Sequence, residues 1–287
     1  MAMAVGVPMF IENLLAILVL LNCKTMTVQI RTLLLNLSVA DCLTGLVLAI
    51  PDFAYQLTFH CRIKKYMGAT ITFASILTVS LLNLDRCLAL FFGIRYYVKV
   101  TDVKVKISCA LLWILAFLNS YFMYLDLSLS SGIYCLKVYS SPSNFATKFA
   151  KINCLIFVFF NVLLLGYLLY KIPRKATNTV LAKMAIITGT ALVCYTPGLF
   201  LHAFFPIEDD YYRKLIGYTG VLAFSNSILN PILYVWRFKE AQYVVTKVVC
   251  FWNNAFLEKR REDWKQRTAT FQINIVNGDH IEINSAL

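Results

Sequence analysis

Long apolar runs separated by short charged segments dominate the pattern of the chain. A run of roughly 20 apolar residues is long enough to cross a bilayer as a helix. Seven runs of about that length are present, so the pattern predicts an all-α membrane protein with a bundle of seven transmembrane helices. The predicted spans are residues 1–21, 33–57, 66–92, 105–125, 149–170, 181–205 and 215–236.

A different pattern follows the seventh run. Apolar residues recur there on one helical face, which predicts a short amphipathic eighth helix on the inner leaflet at about residues 238–252. Residues 1–252 then form one membrane domain, and the polar residues 253–287 are expected to be a disordered cytoplasmic tail. Cys250, near the end of the amphipathic helix, is either a palmitoylation site or an unmodified thiol.

Composition and charge agree with a membrane protein and indicate its orientation. Only 15% of the residues are charged and the mean hydropathy is +0.67, whereas about 25% of the residues in soluble domains are charged. The net charge is +12, and most Lys and Arg residues fall where an outside N-terminus and an inside C-terminus would place them in the cytoplasm. The basic charge therefore reports topology, and nucleic-acid binding is not expected. The first run lacks the basic leading segment of a signal peptide, so it is interpreted as a span.

Asp41 is the most informative polar position, because it is a carboxylate inside an apolar run. Ionisable groups at membrane depth are costly, so they normally face the interior of a bundle and mark function. Lipid cannot bond polar groups, so the other polar residues of the runs are expected to converge inward. Together with two prolines, they are Asn13, Ser75, Asn83, Asp85, Arg86, Trp113, Tyr167, Tyr195, Thr196, Pro197, Asn226, Ser227, Asn230, Pro231 and Tyr234.

Seven spans with this set of residues in this order resemble the rhodopsin-like (class A) family of G-protein-coupled receptors over about residues 10–252. Cys87, Gly93 and Tyr195 stand where the family has tyrosine, proline and tryptophan. The motifs that carry the resemblance are Asn13, Asn36-Leu37-Ser38-Val39-Ala40-Asp41, Leu84-Asp85-Arg86-Cys87, the inner segment 93–101, Trp113, Cys194-Tyr195-Thr196-Pro197 and Asn230-Pro231-Ile232-Leu233-Tyr234.

The resemblance implies a multi-pass plasma-membrane receptor, not an enzyme, that passes the signal of an extracellular ligand to a heterotrimeric G protein. The family places an allosteric sodium ion at five positions, and the carboxylate, hydroxyl and amide oxygens found there suit a hard cation. A water-filled polar cluster without a specific ion is the alternative. The five positions are Asp41, Ser75, Asn226, Ser227 and Asn230.

The resemblance also implies an activation switch at the inner face. Arg86 is expected to pair with Asp85 at rest and to be released on activation, when it packs against Tyr167 and Tyr234. A snorkelling arginine that only fixes topology is the alternative. The remaining residues of the switch are Tyr195 and the helix-kinking prolines Pro197 and Pro231.

The outer half says less about the ligand. The resemblance implies a disulfide between Cys61 and Cys135. Gly68 and Phe224 stand where amine receptors carry an aspartate and light receptors a lysine, so neither a biogenic amine nor retinal is expected. His202 is either a ligand contact or a solvated residue at the rim. The candidate pocket residues are Gly68, Thr72, Tyr195, Leu199, His202, Ile216 and Gly220.

Two departures from the family bear on signalling. Phe159 replaces the proline of the fifth span, so the connector between pocket and cytoplasmic face is expected to be repacked around Ile76, Phe159 and Ala191. The inner segment 171–180 is very short, and Thr177 replaces the frequent acidic partner of the switch arginine. These features are compatible with unusual coupling, a segment lost from the gene model or impaired signalling. A non-signalling decoy receptor is therefore the first alternative, followed by a small transporter or channel, because intramembrane polar groups also line ion paths.

Overall fold

A computed structural model describes residues 2–23, 26–50, 58–129, 144–171, 180–204, 210–237 and 239–249, and positions 258 and 262 of the tail. The regular elements in these ranges are helical. A single-turn helix, α4, lies in the segment that follows α3. The elements are α1 (Ala2–Asn22), α2 (Val28–Ala49), α3 (Thr58–Phe92), α4 (Tyr96–Lys99), α5 (Asp102–Leu129), α6 (Asn144–Lys171), α7 (Val180–Phe204), α8 (Asp210–Arg237) and α9 (Lys239–Val249).

Each predicted span overlaps one long helix. The predicted end of the second span, however, was wrong. The span predicted at residues 33–57 is α2, which covers Val28–Ala49. Ile50 follows in an extended conformation, with φ −72° and ψ 120°. Pro51 explains the early end, because the residue before a proline is sterically driven out of the helical region.

The long helices differ in how apolar they are. Within the described ranges, five helices are long and apolar enough to cross a membrane: α1, α2, α3, α5 and α6. Helix α7 contributes a shorter apolar stretch, Ala185–Leu201, and α8 carries the polar residues Asn226, Ser227 and Asn230. Helix α8 thus brings polar groups into the bundle, where they must find partners within the protein.

The core lies between α2, α3, α6 and α7, and the outer faces of α5 and α6 are apolar. Buried side chains such as Leu37, Val79, Leu168 and Ala191 form one cluster. Large apolar side chains on α5 and α6 remain exposed, which suits helices that face lipid rather than water.

Helices α1 and α2 approach closely where two glycines face each other. A Cβ atom added to Gly45 would lie 2.6 Å from the backbone nitrogen of Phe10 and 2.9 Å from the carbonyl oxygen of Gly6. A Cβ atom on Gly6 would lie 2.6 Å from the backbone nitrogen of Ala49. Small residues allow transmembrane backbones to approach in this way, so these two glycines set the spacing of the first helix pair.

The amphipathic helix predicted at about residues 238–252 is α9, and its buried face packs against the end of α1. Ala241 is buried with Val19 and Cys23. The backbone N–H of Met26 donates to Glu240 Oε2 over 3.2 Å. Burial raises the pKa of the Cys23 thiol to about 12, and the nearby Glu240 carboxylate raises it further in the same direction. This thiol therefore stays neutral where α9 packs against the end of α1.

The close contact of the two glycines predicts different effects of a glycine-to-alanine substitution at two sites. Gly45→Ala should lower the thermal unfolding midpoint, because the added methyl group meets backbone atoms that cannot turn aside. Gly166→Ala in α6 meets nothing within 4 Å and should leave the midpoint unchanged or raise it, since alanine favours a helix by roughly 0.5–1 kcal/mol over glycine. Equal midpoints for the two variants, measured in lipid nanodiscs, would contradict the close approach.

Candidate functional site

The carboxylate of Asp41 is the centre of a buried polar cluster that joins three helices. Ser75 Oγ on α3 donates to Asp41 Oδ1 over 2.7 Å. Ser227 Oγ on α8 donates to the same oxygen over 2.8 Å, and Asn230 Nδ2 donates to Oδ2 over 2.8 Å. These four side chains are buried, so the acid is held by neutral donors from α3 and α8 rather than by a basic partner.

Tyr195 on α7 extends the Asp41 cluster to a fourth helix. Its hydroxyl oxygen lies 3.3 Å from Ser75 Oγ and accepts a hydrogen bond from Asn226 Nδ2 over 3.1 Å. Asn226 therefore reaches Asp41 through Tyr195 and Ser75, and not by a direct bond. The side chain that stands in place of the family's tryptophan thus brings a hydroxyl group into the cluster.

The chemistry of the Asp41 cluster is that of an oxygen-rich site with one charge. A carboxylate, three hydroxyl groups and two amide groups converge there, and such ligands suit a hard monovalent cation more than a soft metal. Within the described ranges no group of three or more His, Cys, Asp or Glu side chains could hold a metal ion. The five residues named for sodium from the sequence carry oxygen atoms of the kind that hard cations bind.

A second buried cluster lies at the inner end of α3. Arg86 Nε donates to Asp85 Oδ2 over 2.9 Å, and Arg86 Nη2 also bonds this oxygen. The hydroxyl of Tyr96 on α4 donates to Asp85 Oδ1. Arg86 is only 3% exposed, so its charge is turned into the bundle and is not available at the protein surface.

Backbone geometry places Tyr96 in this cluster. Helix α3 ends at Phe92, and Gly93 has φ 53°, a left-handed conformation that glycine adopts without a Cβ clash. A 3₁₀ turn over Gly93–Arg95 follows and leads into α4. Burial, together with the neighbouring Asp85 carboxylate, raises the pKa of the Tyr96 phenol, so the hydroxyl keeps the proton that it donates to Asp85.

A third buried cluster connects α3 with α6 and α7. Asn83 Nδ2 donates to Asn161 Oδ1 over 3.2 Å, and Thr188 Oγ1 donates to Asn83 Oδ1 over 2.7 Å. Asn161 Nδ2 donates to Ser80 Oγ over 2.9 Å and to the carbonyl oxygen of Phe157 over 3.0 Å. Sequence reasoning named Asn83 only as a buried polar residue and missed the other members. An asparagine in the very apolar fifth span was the signal that could have found Asn161.

The structure corrects the expected connector. Phe159 is 68% exposed and lies on the outer face of α6, whereas Ile76 and Ala191 are buried. The inward stripe of α6 runs through Cys154, Phe157, Asn161, Leu164 and Leu168 at helical spacing. Phe157 lies two positions before Phe159 on α6 and points inward in its place. Its ring packs edge-on against the ring of Tyr195, with the ring centroids 6.5 Å apart.

Further polar bonds tie the outer helices of the bundle to its centre. Trp113 Nε1 on α5 donates to Asn36 Oδ1 over 2.9 Å, and Asn36 Nδ2 donates to Thr78 Oγ1 over 2.8 Å. Asn13 Nδ2 on α1 donates to the carbonyl oxygen of Ser227 over 3.1 Å. Glu12, the neighbour of Asn13, is a half-buried acid of the first span that sequence reasoning overlooked, although an acid in an apolar run was the same signal that singled out Asp41.

Several residues predicted from the sequence are described only in part. Gly68, Thr72 and Gly220 are half-buried helical residues, and Leu199 packs against the main core. Tyr167 also packs against that core. Pro197 and Pro231 lie inside α7 and α8. The side chains of Cys61, His202, Ile216 and Tyr234, and the whole of Cys135, Thr177 and Cys250, lie outside the described residues.

The chain belongs to the rhodopsin family of seven-transmembrane receptors. A family model described as "7 transmembrane receptor (rhodopsin family)" matches residues 12–234, which include all or part of each of the seven long helices and the buried clusters around Asp41 and Arg86. The fold is therefore a seven-transmembrane bundle, and the family is one of membrane receptors.

Known receptors are similar to the chain at low identity. The human (Homo sapiens) histamine H2 receptor is 27% identical over 238 residues, which are 70% of this chain and 65% of that receptor. G-protein coupled receptor 3 of Rattus norvegicus is 24% identical over 260 residues, 83% of this chain and 78% of the relative. The adenosine receptor A2b of Gallus gallus is 24% identical over 271 residues, 76% and 78% of the two chains. The chain spans just under two thirds of the histamine H2 receptor.

The inner cluster predicts that two adjacent tyrosines behave differently. Tyr96→Phe removes the hydroxyl that bonds Asp85 and should lower the unfolding midpoint by roughly 2–4 °C, the effect of about one hydrogen bond. Tyr97→Phe alters an exposed ring and should leave the midpoint unchanged. Thermal unfolding of both variants in nanodiscs checks this, and a Tyr96→Phe midpoint equal to that of the unaltered chain would contradict the bond.

Proposed function

We propose that this receptor passes the signal of an extracellular ligand to a heterotrimeric G protein. The observation that carries the proposal is the burial of Arg86 with Asp85 and Tyr96 near the C-terminal end of α3, which the predicted topology puts in the cytoplasm. A buried ion pair is costly to form, because both charges lose their water. Losing one partner is also costly, because the other charge stays buried without compensation. Such a pair therefore suits a two-state element, closed while Arg86 bonds Asp85 and open once that bond is exchanged for another partner.

Two helices of the bundle contain a proline at which such a conformational change could hinge. Pro197 lies inside α7 and Pro231 inside α8, and a proline removes one backbone hydrogen bond and kinks its helix. Tyr195 lies two positions before Pro197, about half a helical turn. It contacts the Asp41 cluster through Ser75 and Asn226. Movement of α7 about Pro197 would thus alter the polar cluster and the inner face together, which is how a ligand signal can cross the membrane.

Nucleotide exchange on the G protein tests the proposal. The full chain in nanodiscs is mixed with a panel of heterotrimeric G proteins, and GDP release is followed with and without a library of ligands. Arg86→Ala should abolish exchange that the intact chain supports, while Arg95→Ala, which alters an exposed arginine nearby, should keep it. Surface expression of each variant is measured in parallel.

The outcomes separate the candidate functions. Exchange that depends on Arg86 but not on Arg95 supports signalling. Ligand binding without exchange on any G protein would contradict it and identify a non-signalling decoy. The described polar groups form compact clusters between helices, so a transporter or channel has no observation in its favour.

We further propose that Asp41 binds a sodium ion in the resting state. Support comes from the single carboxylate, the surrounding oxygens and the neutral character of its hydrogen-bond donors. A cation there would neutralise the buried charge, and its loss would change the electrostatics of four helices at once. Such a change can bias a bistable bundle.

Sodium dependence of stability is the corresponding prediction. Replacing N-methylglucamine chloride by sodium chloride at constant ionic strength should raise the unfolding midpoint of the unaltered chain. Asp41→Asn removes the charge that attracts the ion and should abolish the dependence. Equal midpoints of the unaltered chain in the two salts would contradict the sodium site and would support a cluster filled by water alone.

A residue in the outer half of the bundle limits the classes of ligand that the receptor can bind. Gly68 stands where amine receptors carry an acid, and the nearest atom to a Cβ built there is the apolar Val47 Cγ1 at 3.8 Å. The chain therefore lacks, at that position, the charge that would pair with an amine, although the human relative is a histamine receptor by name. We infer a ligand other than a biogenic amine or retinal, and the ligand library above should contain acidic lipids and peptides.

A further inference from the structure

The cluster of Ser80, Asn83, Asn161 and Thr188 lies between the Asp41 cluster above and Arg86 below. On the upper side, the Phe157 carbonyl accepts from Asn161 while the Phe157 ring packs on Tyr195. On the lower side, Asn83 precedes Arg86 by three positions, about one helical turn of α3. The cluster thus touches the proposed cation site through Phe157 and Tyr195 and lies about one helical turn from the inner switch.

The hydrogen bonds of this cluster are directional and nearly complete. Asn161 donates to Ser80 and to Phe157 and accepts from Asn83. Asn83 accepts in turn from Thr188. Asn83 and Thr188 are fully buried, and Asn161 is 1% exposed. A group that lost its partner here would stay unpaired in a medium of low dielectric, so separation of these helices is resisted.

Phe159 points outward, whereas Asn161, two positions later on α6, brings its amide group into the cluster. Phe157 and Asn161 lie on the inward stripe of α6, where Phe157 packs against the core that includes Ile76 and Ala191, and Asn161 bonds Asn83 on α3. Thr188 lies on α7 at the inner side of the Pro197 hinge. An outward swing of the inner half of α7 would therefore have to break the bond from Thr188 to Asn83.

We propose that Asn161, Asn83 and Thr188 are positioning residues that hold the inner halves of α6 and α7 against α3 and so set the basal activity of the receptor. The proposal rests on the receptor function proposed above. In the closed state all three side chains are bonded, and in an open state Asn83 Oδ1 loses its donor on α7. The strength of this one contact then determines how often the bundle opens without a ligand.

Matched substitutions of threonine test the proposal. Thr188→Val keeps the shape of the side chain but removes its hydroxyl, whereas Thr188→Ser keeps the hydroxyl. Thr44→Val is the control, because the buried Thr44 hydroxyl donates to the Ala40 carbonyl within its own helix. Basal nucleotide exchange without ligand is measured for the full chain in nanodiscs, together with the unfolding midpoint of each variant.

Loss of one buried hydrogen bond should raise basal exchange about threefold to tenfold in Thr188→Val. Thr188→Ser should restore the basal rate of the unaltered chain. Thr44→Val should lower the midpoint without raising basal exchange. Basal exchange that is unchanged in Thr188→Val, or raised equally in all three variants, would overturn the proposal and leave the cluster a structural feature only.

Two further measurements keep the test decisive. If Thr188→Val does not fold, Ser80→Ala, which removes an acceptor of Asn161, should raise basal exchange in the same direction, and no increase would overturn the proposal. If the intact chain drives no exchange on any G protein, the receptor proposal fails by itself. Hydrogen–deuterium exchange then decides: faster uptake in the inner halves of α6 and α7 in Thr188→Val than in Thr188→Ser supports the positioning role, and equal uptake overturns it.

Discussion

The structure depends on one constraint: a polar group inside the bilayer must find its partner within the protein. Asp41 is the strongest case, because its buried carboxylate is bonded by side chains of α3 and α8 and linked through Ser75 to Tyr195 on α7. Those bonds fix the mutual rotation of four helices. Apolar packing alone would allow many rotations, because lipid tails are as apolar as the helix faces.

Helix α3 carries the successive polar contacts of the bundle. Descending it, Ser75 meets the Asp41 cluster, Thr78 meets Asn36 on α2, Asn83 meets α6 and α7, and Asp85 meets Tyr96 on α4. The contacts reach α2, then α6 and α7, and then α4 at successive depths. A movement of α7 at one depth must therefore be accommodated by α3 at the other depths. In this way a change in the outer half of the bundle is coupled to Arg86.

Much of this arrangement could be predicted from the sequence, and the rest depends on helix rotation. The seven spans and the amphipathic helix follow from hydropathy, and Asp41 stands out as an acid in an apolar run. The rest of the set around it follows from the resemblance to the receptor family. Phe159 and Phe157 differ by two positions, and only the packed orientation of α6 shows which one points inward. The hydroxyl of Tyr195 in the Asp41 cluster and the bond from Thr188 to Asn83 join residues far apart in sequence, where no periodicity reports a contact.

A cryo-electron-microscopy map of the full chain in lipid nanodiscs, at a resolution that separates side chains, tests the central claim most directly. The account predicts the Asp41 carboxylate within hydrogen-bond distance of Ser75, Ser227 and Asn230, in the interior of the bundle. A map in which Asp41 points toward lipid, with the asparagine of α8 bonded elsewhere, would contradict it.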